Sequence, residues 1–493
     1  MNQRPNILLL FTDQQRFDTV HALGNAVIRT PHLDRLCREG AAFTSAYSPS
    51  PVCVPARCSM HYGQYPMTAA CYENGSPMPA DGRPSFMEAL TRAGFRTHGI
   101  GKCHFTPDKK ALRGFETRET QEECQARGGD DYMRFLEQNG YGDLPEPHGV
   151  RGEMYYVPQV SQLPERLHPT QWIGDRSVAF VREQAGADRP WFLFGSFIHP
   201  HPPFAPPSPW HKLYRAPLMP FPKLVHDADA LHVFINRLQN RYKYRDQGID
   251  RNLLRNMKAH YYACISFIDF QVGRILLALE ESGQLDRTLI LFTSDHGELL
   301  GDYDCFGKRS MHDSAARIPL LARLPGRFDG GRICDRPASL VDIAPTVLEA
   351  AGCASSSGMT LEGEDLHDLL TGASRREAVF AQCANGGAAI YTAVTARWKY
   401  AYSAADNREF LFDRVMDAGE TRNRAGAPFC GKALEAMREM TLAFFRAGGG
   451  TDAVEGKGWK AYPQQSLSPD PDAHLLIQDS PGFKLDLPGY TDA

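Results

Sequence analysis

The sequence predicts an α/β fold: a large, mostly parallel sheet flanked by helices, with a smaller C-terminal antiparallel sheet plus a helix. Three observations carry this expectation. Short apolar runs at 7–11, 191–197 and 289–293 each stop at polar residues, the pattern of strands buried on both faces. Helical patterns lie between them, as over 84–93 and 261–280, and alternating strand and helix builds a layered α/β structure. From about Gly372 the character changes, and 389–395, 398–403 and 409–413 read as consecutive strands with short turns.

Taken in order, the first run is too short for a signal peptide, lacks a small-residue cleavage site and runs straight into Thr12-Asp13-Gln14. A buried first strand accounts for it. The proline-dense stretch 202–209 reads as an irregular loop, and 432–447 as a helix packed on the small sheet. Beyond 448 the chain is rich in Gly, Pro, Asp and Ser, so it reads as a tail that hugs the surface or bridges subunits of a homo-oligomer, with disorder the competing reading. The expected division is a catalytic domain over 1–371, a small α+β subdomain over 372–447 and the tail over 448–493.

A chain of 493 residues is too long for one small core. Its net charge of −4 leaves no basic face for nucleic acid and no polybasic membrane signal. No run approaches the roughly 18 apolar residues of a membrane span. The twelve cysteines are scattered without a CxxC pair, so reduced thiols and a cytoplasmic location are the expectation.

In open α/β sheets, ligands sit at the carboxyl ends of strands. Asp13, His199 with His201, and Asp295 with His296 each follow one of the three apolar runs, so they are expected to converge. The sharpest motif lies elsewhere, in Pro51-Val-Cys53-Val-Pro55-Ala-Arg57. Alone it is equally well a buried cysteine in a proline-punctuated loop. Other segments accompany it in order: Pro5 to Asp13, Thr30-Pro-His-Leu-Asp34, Gly40 to Phe43, Gly101-Lys102-Cys-His104, Pro200-His201-Pro-Pro-Phe204, Thr293-Ser-Asp295-His296-Gly297-Glu298, Gly307-Lys308 and Leu340 to Thr346. Together they resemble the type I, formylglycine-dependent sulfatases of the alkaline phosphatase superfamily, of the choline-sulfatase and arylsulfatase kind, over most of the first 450 residues.

That resemblance implies a sulfatase hydrolysing a small-molecule sulfate ester to alcohol and sulfate. It implies that a separate formylglycine-generating enzyme oxidises Cys53 to 3-oxoalanine, whose hydrate attacks sulfur; its second hydroxyl then expels the sulfate. It assigns one divalent cation to Asp13, Gln14, Asp295, His296 and the Cys53-derived group, where it would polarise the sulfate and acidify the nucleophile. It gives Arg57 to the formylglycine hydroxyl, Lys102 and Lys308 to the sulfate oxygens, and His104 to the proton of the diol. His201, favoured over His199 by the H-x-P-aromatic spacing, falls to the leaving oxygen. Asn74-Gly75, His312 and Asp313 are weaker candidates for shaping the pocket.

Gln14 departs from the usual family pattern, and His296 from many of its members. Most such enzymes carry two aspartates where this chain has Asp13-Gln14, and many have Asn in place of His296. The Gln14/His296 combination resembles choline sulfatases and phosphonate monoester hydrolases. An amide in place of a carboxylate removes one negative charge, which makes Mn²⁺ or Mg²⁺ a rival to Ca²⁺. A phosphonate monoester or phosphodiester hydrolase with the same nucleophile is the alternative activity. The alcohol half of the substrate has no readable code in the 148–165 region, the loop after His201 or the tail.

Overall fold

The computed structural model describes residues 4–123, 128–144, 146–151, 155–244 and 250–469, with only the backbone over 241–244. Most of the predicted tail, from 470 on, lies outside the described residues. In chain order the strands around the site are β1 (Asn6–Asp13), β2 (Ala41–Phe43), β3 (Ala46–Tyr47), β4 (Arg96–Gly101), β5 (Thr117–Thr120), β6 (Trp191–Pro200), β7 (Thr288–Ser294), β8 (Leu320–Arg323), β9 (Arg332–Cys334) and β10 (Ala338–Ser339). They are followed by β11 (Ala378–Cys383), β12 (Ile390–Thr395), β13 (Trp398–Ser403) and β14 (Arg408–Asp413).

Eight of these form one sheet in the order β5-β4-β6-β1-β7-β8-β2-β9. β1 is central and runs parallel to both neighbours, β6 and β7. Only β8 is reversed, pairing antiparallel with β7 and β2. Side chains of β1 alternate between two cores. Ile7, Leu9 and Phe11 pack on one face with Phe192, Phe194 and Leu291, while Leu8 and Leu10 pack on the other with Leu193, Ile290 and Phe292. Both faces being apolar, the strands read as continuous runs, as a sheet covered on both sides requires.

The helix expected over 261–280 is a 31-residue helix, Arg251–Glu281, capped by Asp250, which accepts from the backbone N–H of Asn252 and Leu253. Its first turns escaped the pattern because they carry Arg251, Asn252, Arg255, Asn256 and Lys258 among few apolar residues. The helix expected over 84–93 spans Phe86–Arg92, with Ser85 capping Glu88 N.

The C-terminal sheet, β11-β12-β13-β14, is antiparallel throughout. The sequence reading gave three of its strands and missed β11, whose backbone continues into the large domain through Gln382 N donating to Pro49 O. One face of this sheet packs Ile390, Ala401, Phe410 and Phe412 against Val52, Leu299 and Met311. The other receives Met437 and Phe445 of the helix Gly431–Ala447. Lys399 of β13, fully buried, donates to Met311 O at 3.0 Å and pairs with Asp313 and Glu420. The small sheet thereby fixes the segment just after Lys308. Removing one partner of such a buried pair costs about 3–5 kcal/mol.

At the end of β4, Gly101 has φ +93°, and a Cβ there would lie 2.1 Å from Ser196 O. Only glycine fits both the left-handed backbone and the close approach to β6. Gly101→Ala is expected to lower stability by ~2 kcal/mol or more, read as a shift in the denaturant midpoint, and to displace Lys102, which follows it.

Candidate active site

The site grows from the carboxyl ends of β1 and β7. Asp295 N donates to Thr12 O, so the two strands stay paired up to their last residues. The chain then turns sharply: Gln14 takes φ 68°, and its N–H donates to Asp295 Oδ1 at 3.0 Å. Tyr261, from the long helix Arg251–Glu281, donates its hydroxyl to Gln14 O at 2.7 Å and accepts from Arg16 N. Gly297 lies where a Cβ would meet Ser314 O at 2.1 Å, which pins the β7 exit against the turn at 313–316. Asp13 and Asp295 come out side by side, both fully buried.

The sequence reads the Cys53 stretch as a loop; the structure makes it the first turn of the helix Cys53–Tyr62. Pro55 sits in that first turn, where its missing N–H leaves no helical bond unmade. Asn74 accepts from Val54 N at 3.1 Å and so caps the helix start. The spacing of C-x-P-x-R becomes i, i+4 on a helix, which puts Arg57 beside Cys53. Arg57 is completely buried. It donates to Asp13 Oδ2 at 3.2 Å, Asp295 Oδ2 at 3.1 Å, Lys102 O at 2.6 Å and Ser196 Oγ at 3.1 Å. Burial disfavours its charge, and Asp295 and Asp13 more than restore it. In this geometry Arg57 holds the two carboxylates.

Cys53 Sγ has cations and rings around it. Lys308 Nζ lies 2.7 Å away, His296 Nε2 3.3 Å and Asp13 Oδ1 3.7 Å. The rings of His104 and His201 also reach it. Burial raises the pKa of the thiol, but Lys308 and Lys102 outweigh burial and hold it well below the usual thiol range. Lys102 Nζ sits 2.5 Å from Asp13 Oδ2 and also pairs with Glu123. Burial raises the pKa of Asp13 too, yet Lys102, His201 and Lys308 carry it far below the carboxylate range. Asp295 is pushed up to about 6, first by burial and then by the charge of Asp13. Burial lowers His201 strongly, helped by Lys308, and lowers His104, helped by Lys102.

All the residues singled out from the sequence motifs meet here: Asp13, Gln14, Cys53, Arg57, Lys102, His104, His201, Asp295, His296 and Lys308. Of the weaker candidates Asn74 stays beside Cys53, at the start of its helix, and the others separate. His199 turns away toward Thr170 and His168. His312 stacks on Tyr303, and Asp313 is taken up by Lys399 and Tyr47. Sequence reasoning missed the supporting groups. Glu298 accepts from Gln14 Nε2, from Tyr156 Oη at 3.0 Å and from the backbone of Leu300 and Gly307. Glu122 accepts the N–H of Cys103 and His104 and holds His104 at φ 54°. Glu298 stands inside the quoted 293–298 motif, so its place was visible and its role was not.

Asp13, Cys53, Asp295 and His296 bring their donor atoms within 4.8 Å of one another, all buried. His296 Nδ1 faces Gly297 O at 3.0 Å, so the ring carries its proton there. Nε2, left as an acceptor, then lies 3.3 Å from Cys53 Sγ, 3.5 Å from Asp295 Oδ1 and 3.9 Å from Asp13 Oδ1. Acceptors facing acceptors fit a cation between them, and carboxylate plus imidazole suits a divalent ion. Gln14 presents its amide oxygen to Lys308 Nζ at 3.0 Å. Arg57→Met leaves both carboxylates without their shared partner. The expected cost is about 3–5 kcal/mol in chelator-treated protein, read by urea unfolding, with part of it recovered on adding a divalent cation.

Residues 5–353 match the family model described as Sulfatase, and residues 301–443 match that of the N-sulphoglucosamine sulphohydrolase C-terminal region. An arylsulfatase of Clostridium perfringens is 30% identical, covering 94% of this chain and 99% of its own. A choline-sulfatase of Rhizobium meliloti is 30% identical over 89% of this chain and 86% of its own. Among solved structures, the phosphonate monoester hydrolase of Agrobacterium radiobacter superposes with a TM-score of 0.78 at 26% identity, over 93% of this chain and 100% of that one. The chain belongs to the sulfatase family, as a type I sulfatase of the alkaline phosphatase superfamily, and is a sulfuric ester hydrolase.

Proposed function

We propose that this enzyme cleaves a small-molecule sulfate monoester with a nucleophile made from Cys53 by oxidation to 3-oxoalanine, beside one divalent cation. The observation that carries the reading is the place of Cys53, buried at the first turn of a helix, with Lys308, His296 and Asp13 within 4 Å of its sulfur. Asp13, Gln14, Asp295 and His296 would hold the cation, whose chemistry is to withdraw charge from the sulfate oxygens and acidify a hydroxyl.

The side chains divide the remaining work. Lys308 and Lys102 flank the reacting position and neutralise the charge of the sulfate as the ester bond breaks. His104, kept largely neutral by burial and Lys102, takes the proton of the second hydroxyl so that the aldehyde can reform. His201 has Nδ1 against Pro202 O at 2.7 Å and Nε2 at 3.5 Å from the Tyr155 hydroxyl, a long contact that the leaving oxygen can replace. An arriving anion favours its protonated form, offsetting the burial that lowers it. Arg57 acts through Asp13 and Asp295 and is a positioning residue.

A second reading, a phosphonate monoester or phosphodiester hydrolase with the same nucleophile, is favoured by the superposition on the phosphonate monoester hydrolase. Two lysines and two histidines around one reacting atom suit a sulfate monoester, and cross-reactivity is expected from such a site. The two readings separate in kcat/KM for an aryl sulfate against the matched aryl phosphonate monoester. The sulfate ester is expected to win by at least tenfold; a phosphonate preference of that size would overturn the sulfatase assignment of the natural substrate.

A further inference from the structure

A cavity of about 460 Å³ is lined by Arg16, Phe17 and Asp18, which follow Gln14, and by residues other than those around Cys53. Part of its wall is apolar, with Phe17, Val27, Phe43, Phe221 and Ile318, and part is charged, with Arg16, Arg317, Asp18 and Asp302 beside two lysines. Lys258 lines it, from the long helix Arg251–Glu281. This lysine is only 6% exposed and, among the described residues, makes no hydrogen bond or ion pair. Burial, reinforced by Arg16, lowers its pKa to about 8.

Asp302 and Asp18 favour its charge from nearby, but neither pairs with it directly and burial still prevails. Arg16 is engaged by Asp18, by Asp302 at 2.9 Å, and by the carbonyls of Glu298 and Leu299. Asp302 is in turn used by Arg16, by Ser314 Oγ and by the N–H of Lys223. Lys223 also lines the cavity, and its ammonium stands over the ring of Tyr303 without an ion pair. A desolvated ammonium with no direct partner is costly to keep, and here Arg16, Lys223, Lys258 and Arg317 outnumber Asp18 and Asp302 around one cavity of ligand size.

We propose that this cavity is a second ligand site, taking a small organic anion with an apolar body. The anionic group, a carboxylate, sulfonate or sulfate, meets Lys258 and Lys223, and the body packs among Phe17, Phe43 and Phe221. The wall it touches includes Arg16, which also holds the backbone of Glu298, so the occupant sits one residue layer from the groups that orient Gln14.

The test is isothermal titration calorimetry of the full-length protein with naphthalene-2-sulfonate. Saturable binding is expected, weakened at least tenfold in Lys258→Met and in Val27→Trp, and unchanged within twofold in Lys308→Met. Lys258→Met removes an unpaired buried charge at nearly constant length, so its thermal midpoint should match or exceed that of the native protein. Val27→Trp fills the cavity without altering any charge. Inorganic sulfate should displace the probe poorly, because it lacks the apolar body. No saturable binding, or binding lost in Lys308→Met and kept in both cavity variants, would overturn the proposal. So would displacement by sulfate as effective as by the sulfonate itself.

Discussion

Two carboxylates stand side by side, fully buried, at the ends of neighbouring parallel strands, and one guanidinium on the Cys53 helix holds them there. Like charges in a dry interior repel strongly, and each would be driven to protonate if left alone. Arg57 answers both from one planar fork, and its remaining donors reach Lys102 O and Ser196 Oγ. It therefore joins β1, β4, β6, β7 and the Cys53 helix at a single point. The rest of the site is arranged around that point. Lys102 and Lys308 add positive charge on either side, and His296 closes the cluster with Nε2 as an acceptor.

The same constraint accounts for the amide at position 14. Gln14 Nε2 donates to Glu298 while Oε1 accepts from Lys308. A carboxylate here would face Glu298 with like charge, and Glu298 is fixed by Tyr156, Leu300 N and Gly307 N. The amide satisfies an acceptor and a donor at once, which no aspartate can do. The departure from the commoner Asp-Asp pair thus belongs with Glu298 and Tyr156, residues far apart in sequence.

Much of this was legible in the sequence. β1, β6 and β7 are apolar on both faces, so their runs stand out, and the strand-end rule then places Asp13, His201 and Asp295 together. Ordered motifs located Cys53, Lys102 and Lys308, whose positions composition alone leaves open. What stayed hidden is what depends on three-dimensional partners. The proline in C-x-P-x-R disguised the start of a helix, although in a first turn it costs nothing. Glu122 and Glu298 act by accepting backbone N–H groups, which leaves no residue pattern. Lys399, beyond the expected boundary at 372, supports the segment after Lys308, and β11 carried too little alternation to be seen.

The central claim is that this charge cluster serves a nucleophile made from Cys53. The direct measurement is the intact mass of the peptide containing Cys53, from protein produced together with a formylglycine-generating enzyme. Conversion of the thiol to the aldehyde is expected to lower that mass by about 18 Da, in step with the gain of sulfatase activity. A peptide that keeps the thiol mass while the protein hydrolyses sulfate esters at full rate would contradict the account.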